Sequence, residues 1–394
     1  MRASNPDALS RARPRGFSLV ELMVSIALGL VLLSSLVALF VDTSRTSREM
    51  ARASSMIESG RFAIQVLESD LIHAGFWGTH VPAFDDLTLK SAPESAHTPD
   101  AVPQPCLAYD ETTWAGQVKN LIGIPVQAYG AVPAECGAGA GPVLNARADS
   151  DVLVVRHAEN CKPGEVNCAA DAIGEMYFQA SRCATDPATY RLATSDLTLR
   201  AKDCATIAEK RKLVSNVYYV RNYSVSPADG VPALVRSTFG LKGAALGNQA
   251  ADTLVEGVEA IRVELGIDSL SETGAPVDYS AAVLWQDPDA KTIAVNRGDG
   301  VPDGEWVRCG AGCSSGQLVN ATVARVYVLA RAREKTPGHR DLKTYRLGSA
   351  PSVCSTASVD VDCASKTLDP EYKRHVFSAT VRLVNVAGRR ETPS

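Results

Sequence analysis

From Phe17 to Val41 the chain is an almost unbroken run of apolar residues, 25 positions interrupted by one acid, Glu21. As a helix rising about 1.5 Å per residue this run spans about 38 Å, against a hydrocarbon core of about 30 Å, so it is long enough to cross a bilayer. Beyond it the pattern changes to a stripe. Met50, Ala53, Ile57, Gly60, Ile64, Leu67, Leu71 and Ala74 recur at alternating steps of three and four, while Arg52, Glu58, Arg61, Glu68 and Asp70 fall largely off them. At little more than about three heptads, the stripe predicts a helix lying on a sheet rather than a coiled-coil seam. Gly75, with Gly78 beyond it, supplies the stop. The two patterns join without a break and predict a single helix from about Phe17 to Ala74, its first half in lipid and its second against a soluble head.

Residues 76–150 are rich in Pro, Gly and Ala and show little periodicity, which predicts loops bearing short strands. Strand patterns follow. "DVLVV" from Asp151, "LVSNVYYVRNY" from Leu213 and "PALVRSTF" from Pro232 are rich in β-branched and aromatic residues. Ile261, Val263, Leu265 and Ile267 alternate with Arg262, Glu264, Gly266 and Asp268, the pattern of a strand with one face buried. "TVARVYVLARAR" from Thr322 and "HVFSATVRLVNV" from His375 complete the set. No βαβ rhythm separates them, so the sheet should be mainly antiparallel and the fold class α+β. The divisions expected are 1–16 as a leader, 17–42 as a membrane span, 43–75 as an amphipathic helix and 76–394 as a β-rich head, in one piece or in two lobes of about 76–210 and 211–394.

Charge fixes the orientation of the apolar run. Arg2, Arg11, Arg13 and Arg15 precede it with only Asp7 to offset them, so the positive-inside tendency puts the N-terminus in the cytoplasm and everything after Asp42 outside. Without residues 1–16 the formal net charge of -4 would become -7, so the basic character is confined to the leader and nothing suggests nucleic acid as a partner. The cysteines agree with that topology. All ten, at Cys106, Cys136, Cys161, Cys168, Cys183, Cys204, Cys309, Cys313, Cys354 and Cys363, lie beyond the span, as expected of disulfides in an oxidising compartment. Their spacing groups sequence neighbours, 161 with 168, 309 with 313 and 354 with 363, then 183 with 204 and 106 with 136. Spacing alone leaves other connectivities, and reduced buried thiols, open.

A secretory signal has a shorter apolar region, about 7 to 15 residues, with a small-residue cleavage site after it. Here the small residue, Gly16, comes before the run, so a cut at that point would leave the apolar helix in the mature chain. Glu21 admits two explanations. A carboxylate well inside a bilayer costs about 2.5 to 3.5 kcal/mol on insertion scales, and Glu21 is near enough to the interface to be tolerated. Alternatively, cleavage after Gly16 creates an α-amino group at Phe17, which Glu21 of a neighbouring subunit would neutralise within lipid.

Gly16-Phe17-Ser18-Leu19-Val20-Glu21 followed by an apolar helix resembles the class III signal of type IV pilins and of the related type II secretion pseudopilins. That resemblance implies cleavage between Gly16 and Phe17 by a membrane-embedded prepilin peptidase, N-methylation of Phe17, and a docking role for Glu21 in a growing fibre. "SGRFAIQVLESDLIHAGFWG" from Ser59, "LVEGVEAIRVELGID" from Leu254 and "RHVFSATVRLVNVAGRR" from Arg374 resemble stretches of PilW-type minor pilins. They imply a pilin-like fold and a non-enzymatic subunit with no cofactor, held in the inner membrane with its head in the periplasm and then incorporated into a type IV pilus. The partners implied are the prepilin peptidase, inner-membrane lipid, other minor pilins, the major pilin and a tip adhesin. A minor pseudopilin of type II secretion would share the same N-terminus. A membrane-anchored periplasmic enzyme or binding protein would need neither Gly16 before Phe17 nor Glu21.

Other chemistry in the sequence is weaker. Gly312-Cys313-Ser314-Ser315-Gly316 fits the nucleophile-elbow spacing, but the β-like run after it is not the helix the motif requires. Cys309, Cys313, Cys354 and Cys363 have spacings that suit a zinc site poorly, and the six histidines show no ligand pattern. Asp287, Asp289, Asp299, Asp303 and Glu305 depart from the order of a calcium loop and are expected to be solvated turn residues. Lys210-Arg211-Lys212 reads as a solvated edge.

Overall fold

The computed structural model describes residues 16–137, 141–310, 312–361 and 363–391. The leader's Arg2, Asp7, Arg11, Arg13 and Arg15 lie outside the described residues. Leu19–His73 form one uninterrupted helix, α1. It contains no proline, and Gly75 at φ 76° turns the chain after it, a backbone conformation that side-chain-bearing residues avoid. The chain divides into two compact units, Met1–Arg52 and Ala53–Ser394. In the first, an 18-residue window of α1 reaches a mean hydropathy of 2.7 with none of it buried.

In the second unit α1 buries Met56, Gly60, Ala63, Leu67 and Leu71, and Ala74 follows on the same side. The expected stripe holds at Gly60, Leu67, Leu71 and Ala74, but Ile64 is only half-buried and Ala63 beside it takes the buried place, and before Gly60 the stripe is displaced. Met56 takes the place of Ile57, which is 38% exposed, and Met50 is 69% exposed. Contact at Gly60 fixes the rotation, because a Cβ there would lie 2.1 Å from the Phe377 ring, so this backbone face must meet the sheet. One turn back along that face is Met56, and Ile57 lies about 100° round from it.

After short 3-10 turns at Ala83–Asp85 and Ser95–His97 come α2 (Glu111–Ala115), α3 (Val118–Gly123), β1 (Val126–Tyr129) and α4 (Ala134–Gly137). The strands β2 (Val152–Ala158), β3 (Tyr177–Ala180), β4 (Tyr190–Ala193), β5 (Lys210–Arg221), β6 (Ala233–Lys242), β7 (Ala245–Asn248) and β8 (Asp252–Glu256) join β1 in an antiparallel sheet. Then follow β9 (Val258–Ile267), α5 (Ser315–Val319), β10 (Ala321–Arg331), the short β11 (Thr344–Tyr345), β12 (Val353–Ser355) and β13 (Ser365–Leu368), and finally β14 (Arg374–Arg382) and α6 (Val384–Arg390). A second sheet has the order β14-β10-β9, and β11, β12 and β13 make a third, in which β12 and β13 run parallel. The boundary expected near 210 between two lobes falls on the first residue of β5, which pairs with β2, β3 and β6. A division there would cut across the first sheet.

The main core forms where Ala63, Leu67 and Leu71 of α1 meet Ile261, Val263, Leu265, Val326 and Val328 of the second sheet. β9 departs from the one-faced pattern, since all ten of its residues are buried. Its other face is covered by the segment from 341 to 368. Ala260 packs with Leu329, Tyr345, Leu347 and Val353, and the Glu264 carboxylate accepts from the Ser349 N–H at 2.5 Å and the Tyr327 hydroxyl at 3.3 Å. The run "HVFSATVRLVNV" also departs, because β14 ends at Arg382, where its pairing with β10 ends, and the remainder coils into α6. Coiling buries Val386 and Ala387 and places Arg390 among Asp85, Asp268 and Asn320.

Candidate functional site

Gly16, Phe17 and Glu21 stand together at the start of α1. Ser18, immediately before the first helical residue, donates its backbone N–H to Glu21 Oε2 at 2.9 Å, and the Glu21 N–H donates to Ser18 Oγ at 3.2 Å. This is a reciprocal capping box, which satisfies two backbone donors that a helix start otherwise leaves open. The Ser25 hydroxyl donates to the Glu21 carbonyl at 2.6 Å. Glu21 is therefore drawn back toward Phe17, at the positive end of the helix dipole, with one carboxylate oxygen committed to Ser18. Phe17 is 89% exposed. Ser18 was missed in the sequence as a partner of Glu21, although the spacing S-x-x-E carries that signal.

The amphipathic half of α1 is tied to the first sheet through Asp70. Its Oδ1 lies 3.0 Å from His157 Nε2 on β2, and its Oδ2 accepts from Asn216 Nδ2 at 3.0 Å and the Tyr218 hydroxyl at 2.9 Å, both on β5. His157 Nδ1 lies 2.8 Å from the Ala158 carbonyl. Both partners of the ring, a backbone carbonyl and a carboxylate, are acceptors, so the site offers an acceptor to each ring nitrogen. Burial raises the Asp70 carboxyl, but the bond and charge of His157, with Asn216 and Tyr218, outweigh it and hold the group below its ordinary value. Burial, then the Asp70 charge, pushes the Tyr218 phenol up. Periodicity set Asp70 off the apolar stripe and gave no hint of this role, because an acid beside a buried face looks the same in sequence whether it faces water or a hidden partner.

The ten cysteines form five bridges, each between sequence neighbours: Cys106–Cys136, Cys161–Cys168, Cys183–Cys204, Cys309–Cys313 and Cys354–Cys363. Two of them hold the loops around β3 and β4, and Cys309–Cys313 closes the turn before α5.

The elbow-like run does lead into a helix, α5, contrary to the expectation of a strand, because Ser314 caps it: its hydroxyl accepts from the Gln317 N–H at 3.3 Å and lies 3.2 Å from Gln317 Oε1. The Ser314 hydroxyl is thus engaged in a capping box. Three of the acids considered for calcium, Asp287, Asp299 and Asp303, accept from backbone N–H groups. Asp303 accepts from the N–H groups of Ser269 and Leu270, and Asp287 from those of Asp289 and Ala290. Among the described residues no three His, Cys, Asp or Glu side chains converge as a metal site. Lys210, Arg211 and Lys212 are half-buried and each is ion-paired, with Asp171, Glu209 and Glu175, rather than forming a solvated edge.

The geometry to be explained is a capped carboxylate at the head of an apolar helix, on a chain whose C-terminal half builds β5 to β10 and β14. Residues 11–37 match the family model described as the prokaryotic N-terminal methylation motif, and residues 217–385 match that of type IV pilus-assembly protein W. The chain is PilW-like. The matches cover the N-terminal signal, the stretch from Leu254 and most of that from Arg374, but not the stretch from Ser59 to Gly78, and they support a type IV pilin-like subunit of the minor-pilin kind. A type IV-like pilin from Thermus thermophilus is similar at 11% identity and a TM-score of 0.32, over 84% of this chain and 96% of that one. No curated protein matches. The PilW likeness therefore rests on the match of residues 217–385, with the methylation motif beside it, and not on that structural likeness.

Proposed function

We propose that this chain is a minor subunit of a type IV pilus. A prepilin peptidase cuts it between Gly16 and Phe17, Phe17 is N-methylated, and residues 17–42 hold the subunit in the inner membrane with its head in the periplasm. It then enters the fibre with other minor pilins and the major pilin, in a priming complex at the tip that carries an adhesin. The observation that carries this reading is Glu21, five residues after Gly16 on an apolar helix, in one chain with a PilW-matched head. A low-copy place is supported by the bulk of the head, residues 76–394, which is difficult to repeat at every step of a close-packed fibre. The match of residues 217–385 favours a pilus over a type II secretion pseudopilin.

Mass spectrometry of the mature N-terminus tests the processing step. A chain beginning at Phe17 with one added methyl group is expected, and retention of Met1 would overturn the reading. Immunogold labelling of sheared fibres tests the location, with label expected at fibre ends and not along their length.

A further inference from the structure

We infer that the outer edge of β14 takes up an extended segment of a different protein chain, which pairs antiparallel to it as a fourth strand of the sheet β14-β10-β9. β14 pairs with β10 from Arg374 to Arg382 without a shift of register. The bonds at its two ends show which way its backbone groups point. The Ala332 N–H donates to the Lys373 carbonyl and the Leu383 N–H to the Thr322 carbonyl, so by the alternation of an antiparallel ladder the odd-numbered residues of β14 bond β10. The N–H and C=O groups of Val376, Ser378 and Thr380 therefore point away from the sheet, and among the described residues no group bonds them.

The opposite edge of the same sheet is closed. Along β9 the Asp151 N–H donates to the Ile261 carbonyl, Ser150 Oγ and Asp151 Oδ2 accept from the N–H groups of Ile261 and Val263, and Leu265 exchanges both bonds with Val307. An open edge is a template for pairing unless charge, proline or a bulge blunts it. β8, at an edge of the first sheet, is short and its pairing is broken by a register shift. β14 has neither protection: from His375 to Val381 it carries no lysine, acid or proline, and Ser378 and Thr380 are exposed.

The direction of α1 identifies the kind of chain that fits. Gly60 meets Phe377 and the Ile72 carbonyl accepts from Asn385, so α1 and the chain through β14 advance the same way. Antiparallel pairing is the stronger arrangement. Between two copies it would turn their α1 helices in opposite directions, which chains inserted in one membrane with one orientation cannot do; this step rests on the span proposed above. A strand from another protein has no such restriction. Alternation sets its composition. Side chains beside Phe377 and Ala379, which are half-buried against the main core, meet apolar surface, and those beside Ser378 and Thr380 meet hydroxyl groups on the other face. The segment expected is uncharged and alternates apolar with hydroxyl-bearing residues.

Site-specific photo-crosslinking of the full chain tests this in cells that assemble fibres. p-Benzoylphenylalanine replaces Ser378 or Thr380, and the joined peptides are sequenced by mass spectrometry. Both positions should join one segment of a different protein. The joined residue should move two places toward the N-terminus of that segment when the probe moves from 378 to 380, as antiparallel pairing requires. Ser378→Pro removes an outward N–H and no bond to β10, so the yield from position 380 should fall about tenfold, the effect of one hydrogen bond left unmade, whereas Ser378→Thr should keep the parent yield. Unchanged far-ultraviolet circular dichroism checks the fold of both variants, and the two-residue step is read without either. The inference is overturned if neither position joins another chain, if the joined chain is a second copy, if the joined residue stays fixed or moves the other way, or if Ser378→Pro crosslinks like the parent. Retention of Met1 would overturn the pilus reading alone, since an uncleaved span orients the helix equally.

Discussion

Glu21 serves two purposes that a single substitution confounds. It completes the capping box with Ser18, and it is the charge proposed to meet the new α-amino group at Phe17 of a neighbour. Glu21→Gln keeps the cap acceptor and removes the charge, whereas Glu21→Val removes both. If the charge docks the subunit, both variants should be processed normally and both should enter sheared fibres at least about tenfold less than the parent, which corresponds to losing about 1.4 kcal/mol or more of pairing in low dielectric. Normal entry of the Gln variant would show that the cap, not the charge, is what matters. Asp70 offers a second test. Removing the carboxylate leaves the His157, Asn216 and Tyr218 side chains without their shared acceptor, so Asp70→Ala should lower the unfolding free energy by about 3 kcal/mol in urea at neutral pH. The folded carboxyl is held below its ordinary 3.8. Its stabilisation is therefore fully present above that value and is lost as pH falls through the lower, folded value. The gap between parent and Asp70→Asn should accordingly be widest near neutral pH and narrow as the solution is acidified below the ordinary carboxylate range, when urea midpoints are compared.

At the scale of elements, α1 was legible because two hydrophobic patterns abut with no proline or turn signal between them. The longer strands were legible for a related reason: β2, β5, β6 and β10 are dense in Val, Tyr and Leu. What escaped depends on distant partners. The full burial of β9 comes from a covering segment some eighty residues later in the chain, and α6 replaces a strand because Arg390 finds Asp85 and Asp268 only after folding. Gly60 gives an element-scale prediction in which two effects oppose. Helix propensity alone says Gly60→Ala should stabilise α1 by about 1 kcal/mol. The Phe377 ring, 2.1 Å from where the new Cβ would sit, says the opposite. Overpacking costs about 1 to 3 kcal/mol, so the variant should be destabilised on balance. Combining it with Phe377→Ala should recover the helix gain relative to Phe377→Ala alone, as read by thermal melts. A stabilised single variant would mean that the ring moves aside without cost.

For the whole molecule, the candidate site was legible only at its N-terminal end, where Gly16, Phe17 and Glu21 sit within six residues of one another. The tie of Asp70 to the first sheet was not, since His157, Asn216 and Tyr218 come from β2 and β5 and meet the helix only after folding. The cystines bear on stability in a way that can be ranked from sequence separation. A cross-link acts mainly by restricting the unfolded chain, more so for a longer loop. Cys106–Cys136 closes a separation of 30 residues and Cys309–Cys313 one of only 4. On the chain-entropy scale these are worth about 3.5 and about 2 kcal/mol. Burial points the same way, since Cys106 and Cys136 are both buried in one core cluster, whereas Cys309 is buried and Cys313 only half-buried. Replacing each pair by serines and unfolding in guanidinium should therefore cost more for the first pair, by roughly 1 to 2 kcal/mol. A larger loss from the Cys309/Cys313 pair would show that the bridge acts instead on the folded state, by fixing the turn that delivers Ser314 to the start of α5.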